Sequence, residues 1–232
     1  MMWRECRASI KTMNPFICIH CDKSYRIHNC MTSICEGDNC PKRLAAKNIT
    51  NIEDGYIFWT ASGLHGDCPN ENGDFFNWRE ELLDKSYQGN RYRYSSWIGK
   101  PNCANHNENI IIGKIIDAFP IHPEKSIDML VKTKIGSYKV AGKDVTDLMR
   151  SRRVTDVSMG TLITYSYCSE CGNKASNTSD WCSHLRYYKG KNNPETGRLV
   201  YEDNRGIEGI ELSVITTGAG ADIDAKIHNI LR

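Results

Sequence analysis

Apolar residues along this chain come in short bursts, separated by stretches dense in Gly, Asn, Asp and Pro. That pattern predicts strands more often than helices. Residues 55–62 (Gly-Tyr-Ile-Phe-Trp-Thr-Ala-Ser) are rich in β-formers and bounded by turn residues. Residues 110–118 begin apolar on both faces, which suits a strand buried between layers or in a barrel. Residues 126–133, 154–159, 162–165, 199–202 and 210–215 read as further strands, and 98–101 as one that stops at a turn. Helical spacing is rarer. Asn77 can cap a short helix that follows it, with acids in its first turn. Residues 143–151 put Val145, Leu148 and Met149 on one side, and residues 222–231 do the same with Ile223, Ile227, Ile230 and Leu231. Many short strands and few helices predict an α+β fold, β-rich, with a small barrel and surrounding helices.

Two regions depart from the pattern. Residues 1–47 have poor apolar periodicity but carry cysteines at 6, 18, 21, 30, 35 and 40, with His20 and His28 among them. This cysteine-rich N-terminal extension precedes a main domain expected over residues 48–232. Within that domain, residues 168–197 form a hydrophilic insert punctuated by Gly172, Gly190, Pro194 and Gly197.

Composition narrows the class. With 232 residues, 40% hydrophobic and 25% charged, the chain can bury a substantial core. Thirty basic and 28 acidic residues leave a net charge of +2, too balanced for the basic stripe of a nucleic-acid binder. No apolar run approaches the ~20 residues needed to span a bilayer, and the N-terminus shows no signal-peptide pattern. Eleven cysteines, an odd number with Cys-x-x-Cys pairs among them, suggest metal ligation in a reducing, intracellular setting.

The strongest metal motif is Cys168-x2-Cys171 followed by Cys182-x-His184. Zinc prefers four nitrogen and sulfur ligands in a tetrahedron, and a tight turn aims two thiolates at one ion. Four protein ligands would leave no open position, so the expected role is structural: a zinc-stapled insert. In the extension, Cys18-x2-Cys21 offers a half-site for a second zinc, with Cys35 and Cys40 as expected partners and Cys30 as an alternative.

A serine, a histidine and a glutamate offer candidate catalytic chemistry. Serine attacks a carbonyl only when a base takes its proton and a third group fixes that base. Ser158 stands in a strand-like stretch before Gly160, His106 in a polar loop before a strand, and Glu211 on a late strand. Spacing does not single them out, since seven histidines and many serines leave other choices. Each also has an ordinary reading, as a turn former, a loop histidine and a strand carboxylate.

The order of several short motifs resembles the bacteriophage prohead (capsid maturation) protease family. They are Pro69-Asn70-Glu71-Asn72-Gly73-Asp74-Phe75-Phe76, Ile98-Gly99-Lys100-Pro101, Asn105-His106-Asn107, Gly113-Lys114-Ile115-Ile116-Asp117-Ala118, Val157-Ser158-Met159-Gly160, Cys168-Ser169-Glu170-Cys171-Gly172-Asn173-Lys174-Ala175 and Ile210-Glu211-Leu212-Ser213-Val214. The resemblance runs from about residue 55 to residue 225. It implies an assemblin-like barrel and a serine endopeptidase with Ser158 as nucleophile, His106 as base and Glu211 orienting the ring. It also implies scaffold, major capsid and portal proteins as partners, in the phage prohead or virion and the host cytoplasm during assembly. Backbone N–H groups near Met159 and Gly160, or the guanidinium of Arg152 or Arg153, are the candidate oxyanion donors, although solvated charges are the preferred reading of the arginines. One departure stands out. The family follows its late strand with Pro-Ala-Asp or Pro-Ala-Asn, whereas Gly218-Ala219-Gly220-Ala221-Asp222 lacks the proline. The alternative expectation is a catalytically silent, zinc-stabilised structural virion protein.

Overall fold

The structure, a computed structural model, describes residues 16–17, 24–25, 54–122, 124–218, 222 and 224–231. The expected second metal set, Cys18, Cys21, Cys35 and Cys40, lies outside the described residues. In chain order the elements are β1 (Phe16–Ile17), β2 (Ser24–Tyr25), β3 (Tyr56–His65), β4 (Asp74–Phe76), β5 (Pro101–Ala104), β6 (Asn107–Ile121), β7 (Ser126–Lys134), β8 (Lys139–Val140) and β9 (Lys143–Asp144). Helix α1 (Val145–Arg150) is followed by β10 (Asp156–Leu162), β11 (Tyr165–Cys168), β12 (Lys174–Ala175), helix α2 (Ser183–Tyr188), β13 (Glu202–Arg205), β14 (Glu208–Ile215) and β15 (Ile227–Leu231).

Seven strands form a half-barrel sheet in the order β10-β14-β5-β6-β7-β3-β15. Side chains alternate along each strand, so one face fills the interior. Trp59, Ile115, Met129, Val131, Val157, Leu212 and Val214 are buried there together. One polar relay crosses this apolar interior. The Trp59 indole N–H donates to Thr133 Oγ1, the Thr133 hydroxyl to Asn102 Oδ1, and the Asn102 amide to the Leu212 carbonyl, each at 2.8 Å. Buried polar groups are tolerated when each finds a partner, and here the partners tie β3, β7, β5 and β14 together.

The two edges of the half-barrel approach at one corner. Asp156 bridges Lys226, Val157 N–H donates to the Ala225 carbonyl (3.1 Å), and Ile227 N–H donates to the Thr155 carbonyl (2.8 Å). Arg152 spans the same corner, donating to the carbonyls of Ile227 (2.8 Å) and His228 (2.7 Å). Beyond the corner the edges part. β15 pairs with β3 only over Phe58–Ala61, so Gly63–His65 have no strand on that side among the described residues. A smaller sheet, β12-β11-β13-β4, packs the insert and the segment after β3 into the same molecule.

Several elements differ from the sequence expectation. The expected C-terminal helix is the strand β15: backbone pairing with β3 outweighs an apolar spacing that also fits a strand with one irregular step. Residues 93–97 form a 3₁₀ turn and the strand starts at Pro101, not Ile98. Leu199 and Val200 make only isolated bridges, to Asn192 and Lys189, and the strand begins at Glu202. Asn77 does cap a short helical turn, accepting from the N–H groups of Arg79 and Glu80.

Candidate active site and metal centre

Register fixes which residues share a face. In the antiparallel pair β10–β14, Ser158 faces Ser213 and Gly160 faces Glu211. Directly opposed residues point to the same side of a sheet, so Ser158, Gly160, Glu211 and Ser213 share one face. Val157, Met159, Leu212 and Val214 point to the other face and into the core. Ser158 and Glu211 are therefore diagonal neighbours, roughly 7–8 Å apart along the sheet. An imidazole can fill such a gap.

His106 supplies that ring from an unexpected setting. The polar loop expected over residues 103–109 is a two-residue hairpin turn at Asn105-His106, closed by the pair Ala104–Asn107. Both turn residues have left-handed backbone, φ 52° and 56°. A two-residue turn of that form matches the twist of its strands, and its second position usually belongs to glycine. Histidine there carries a steric cost of about 1–2 kcal/mol. Side-chain contacts hold it. His106 Nδ1 lies 2.7 Å from Glu211 Oε1, and the His106 backbone N–H donates to Ser213 Oγ at 2.9 Å. Ser213 donates in turn to Glu211 Oε2 at 2.6 Å. Both carboxylate oxygens are thus engaged, and Glu211 is only 4% exposed. With a carboxylate at Nδ1, that nitrogen carries the proton and Nε2 presents its lone pair outward. The Glu211 hydrogen bond, helped by its charge and opposed by partial burial, raises the His106 pKa above the ordinary histidine value.

His106 and Ser158 line one cavity of about 270 Å³. Its walls are Gly63–His65 of β3, residues of the segment from Cys68 to Phe76, Ser158–Gly160 of β10, and Asp222. The cavity thus occupies the gap where the sheet edges part. Gly160 is small for a local reason: a Cβ there would sit 2.7 Å from Glu211 Oε1. The neighbouring Cys103 thiol is pushed up to about 11 by burial and by the charges of Glu211 and Glu108, so it does not compete as a thiolate.

Three participants were not singled out by the sequence. Ser213 is one, although Glu-x-Ser on a strand puts both side chains on one face. The others are His65 and Asp222, joined at 2.7 Å (Nδ1 to Oδ2) on the β3 side of the cavity. Burial lowers the His65 pKa, but the hydrogen bond and charge of Asp222, with Asp224 and Asp128, outweigh it and leave a net rise. Asp222 thus has a partner in the cavity even though the expected proline before it is missing. Arg152 is occupied at the corner of the sheet, as described above, and Arg153 is exposed.

The insert brings Cys168, Cys171, Cys182 and His184 together, with all four ligand atoms within 4.8 Å of one another. Cys171 Sγ lies 3.6 Å from Cys182 Sγ, and Cys182 Sγ lies 3.9 Å from His184 Nδ1. Two thiolates at about 2.3 Å from one tetrahedral ion stand roughly 3.8 Å apart, so the cluster could hold a metal ion. Cys182 stands at the start of α2. Burial opposes its ionisation, but the Leu185 N–H and the neighbouring thiols bring its pKa below the ordinary thiol value. Beneath the cluster a small apolar group forms from Cys168, Leu185 and Val200, with Trp181, Cys182 and Tyr188 packed against it.

No helix among the described residues is long and apolar enough to cross a membrane. No protein-family model, curated protein or solved structure matches this chain.

Proposed function

We propose that the chain is a serine endopeptidase acting through Ser158, His106 and Glu211. The observation that supports it best is the His106–Glu211 contact at 2.7 Å beside a cavity that Ser158 also lines. In this reading the Ser158 hydroxyl attacks the scissile carbonyl as its proton passes to His106 Nε2. Glu211 holds the ring and stabilises the imidazolium. The C–N bond then breaks, His106 returns the proton to the leaving amine, and an acyl-enzyme remains on Ser158. Water repeats the sequence and releases the acid. Backbone N–H groups near Met159 and Gly160 are the proposed oxyanion donors, because Arg152 spends its guanidinium on backbone carbonyls elsewhere.

The resemblance to prohead proteases supplies the proposed substrates, scaffold and capsid proteins during phage head maturation. It also supplies the proposed setting, the prohead in the host cytoplasm. The ion of the Cys168–Cys171–Cys182–His184 cluster is proposed to be zinc with a structural role, since three sulfurs and one nitrogen suit it and fill its four positions. An assemblin-like barrel with a zinc-stapled insert is the proposed finer description of the fold.

Treatment of the full chain with a fluorophosphonate, followed by peptide mapping, tests the triad. The adduct is expected on Ser158 and absent in Ser158→Ala. Co-expression with scaffold and capsid proteins should give processing that Ser158→Ala abolishes. Unchanged processing in that variant would defeat the assignment, and an intact, unlabelled chain retained in filled particles would favour the silent virion component.

A further inference from the structure

We propose that Lys189 is a positioning residue through which the metal cluster of the insert fixes one wall of the Ser158 cavity. Helix α2 begins on the ligands Cys182 and His184 and ends on Lys189, whose backbone N–H donates to the Leu185 carbonyl at 3.3 Å. The Lys189 ammonium donates to Asp74 Oδ1 at 2.7 Å and also to Glu202. Asp74 lines the cavity, together with Asn70, Asn72 and Phe76. Metal cluster and cavity wall are therefore the two ends of one connected path.

The path is stiff where it matters. The side chains of Lys189 and Glu202 are only 17% and 9% exposed, so their charges depend on each other. Glu202 Oε1 also accepts from Ser166 (2.6 Å) and from the Trp181 indole (3.0 Å). Backbones lock as well. The Glu202 N–H donates to the Gly73 carbonyl at 2.8 Å, and a Cβ on Gly73 would come within 2.4 Å of Gly190 N. The residue just before Asp74 thus rests on the residue just after Lys189. The opposite end has little support of its own. A six-residue helix cannot maintain itself in water, and the apolar group beneath it has only three buried members, with Trp181, Cys182 and Tyr188 half-buried against them. An ion in the cluster supplies what packing does not, and through Lys189 it holds residues 70–76.

Backbone amide exchange of the full chain tests this, with zinc bound and after removal by a chelator. Removal is expected to speed exchange roughly tenfold across 70–76, with α1 and β7 unchanged. Lys189→Met should give the same acceleration at 70–76 while zinc content stays at that of the wild type. Asp74→Asn is the second variant, should Lys189→Met fold poorly, and is expected to act in the same direction. Acceleration confined to 168–190 on zinc removal, or wild-type exchange at 70–76 in the variants, would overturn the proposal. So would a chain that takes up no zinc. Because the readout is backbone exchange alone, failure of the Ser158 assignment leaves this result standing.

Discussion

Gly160 and His106 carry the clearest residue-scale logic. Glu211 is held by His106 on one oxygen and Ser213 on the other, so it has no room to yield to a neighbour. Gly160→Ala puts a methyl 2.7 Å from Glu211 Oε1. That substitution is expected to cost about 1–3 kcal/mol in urea denaturation. It should also lower fluorophosphonate labelling of Ser158, because Glu211 must move. The His106 pKa predicts a pH profile with a definite sign. Under the proposed triad His106 must be neutral to act as base, and Glu211 raises its pKa, so the labelling rate should fall as pH drops through a value above the ordinary one. Glu211→Gln removes the charge. Its acid limb should move to lower pH while the rate above the limb falls by as much as about 10⁴-fold. An unmoved limb would show that Glu211 does not set the titration. The sequence offered His106 as a residue of a polar loop. Its left-handed backbone was not legible, since only the pairing of Ala104 with Asn107 makes Asn105-His106 a tight turn.

At the scale of elements, pairing decided what periodicity left open. Residues 222–231 carry a helix-compatible spacing, but the neighbouring backbone of β3 captures Ile227–Leu231 as a strand. The strands with continuous β-forming runs, β3, β6, β7 and β14, were legible because their pattern tolerates no helix of that length. The insert's helix α2 was not, because only Leu185 of its six residues is buried and the run carries no apolar period. Two substitutions separate structural from chemical roles here. Thr133→Val keeps the shape but leaves the Trp59 N–H and the Asn102 carbonyl oxygen without the partner between them. It should destabilise the chain by about 3 kcal/mol, read from the urea midpoint. Arg152→Gln should cost about 1–2 kcal/mol through its lost bonds to Ile227 and His228. Ser158 labelling should hardly change. A collapse of labelling with little loss of stability would instead mark Arg152 as an oxyanion donor.

For the molecule as a whole, the four-ligand cluster was legible because its residues lie within seventeen positions of one another, Cys168 to His184. The cavity was legible only in its named residues. Its outline comes from register, from the bridging corner and from the place where the edges part. Residues 63–65, 106, 158–160 and 222 line it. Their convergence needs nearly the full order of the half-barrel. β15 and the segment before it close the corner through Ala225, Lys226 and Ile227. A chain still emerging from the ribosome lacks that closure until its residues near 231 are free. The cavity therefore cannot take its shape before residues 225–227 reach the corner, whatever the state of Ser158, His106 and Glu211. Closing the corner and shaping the cavity are thus one event: a chain cut back to residue 224 would keep Ser158, His106 and Glu211 yet lack the contacts that bring the two edges together.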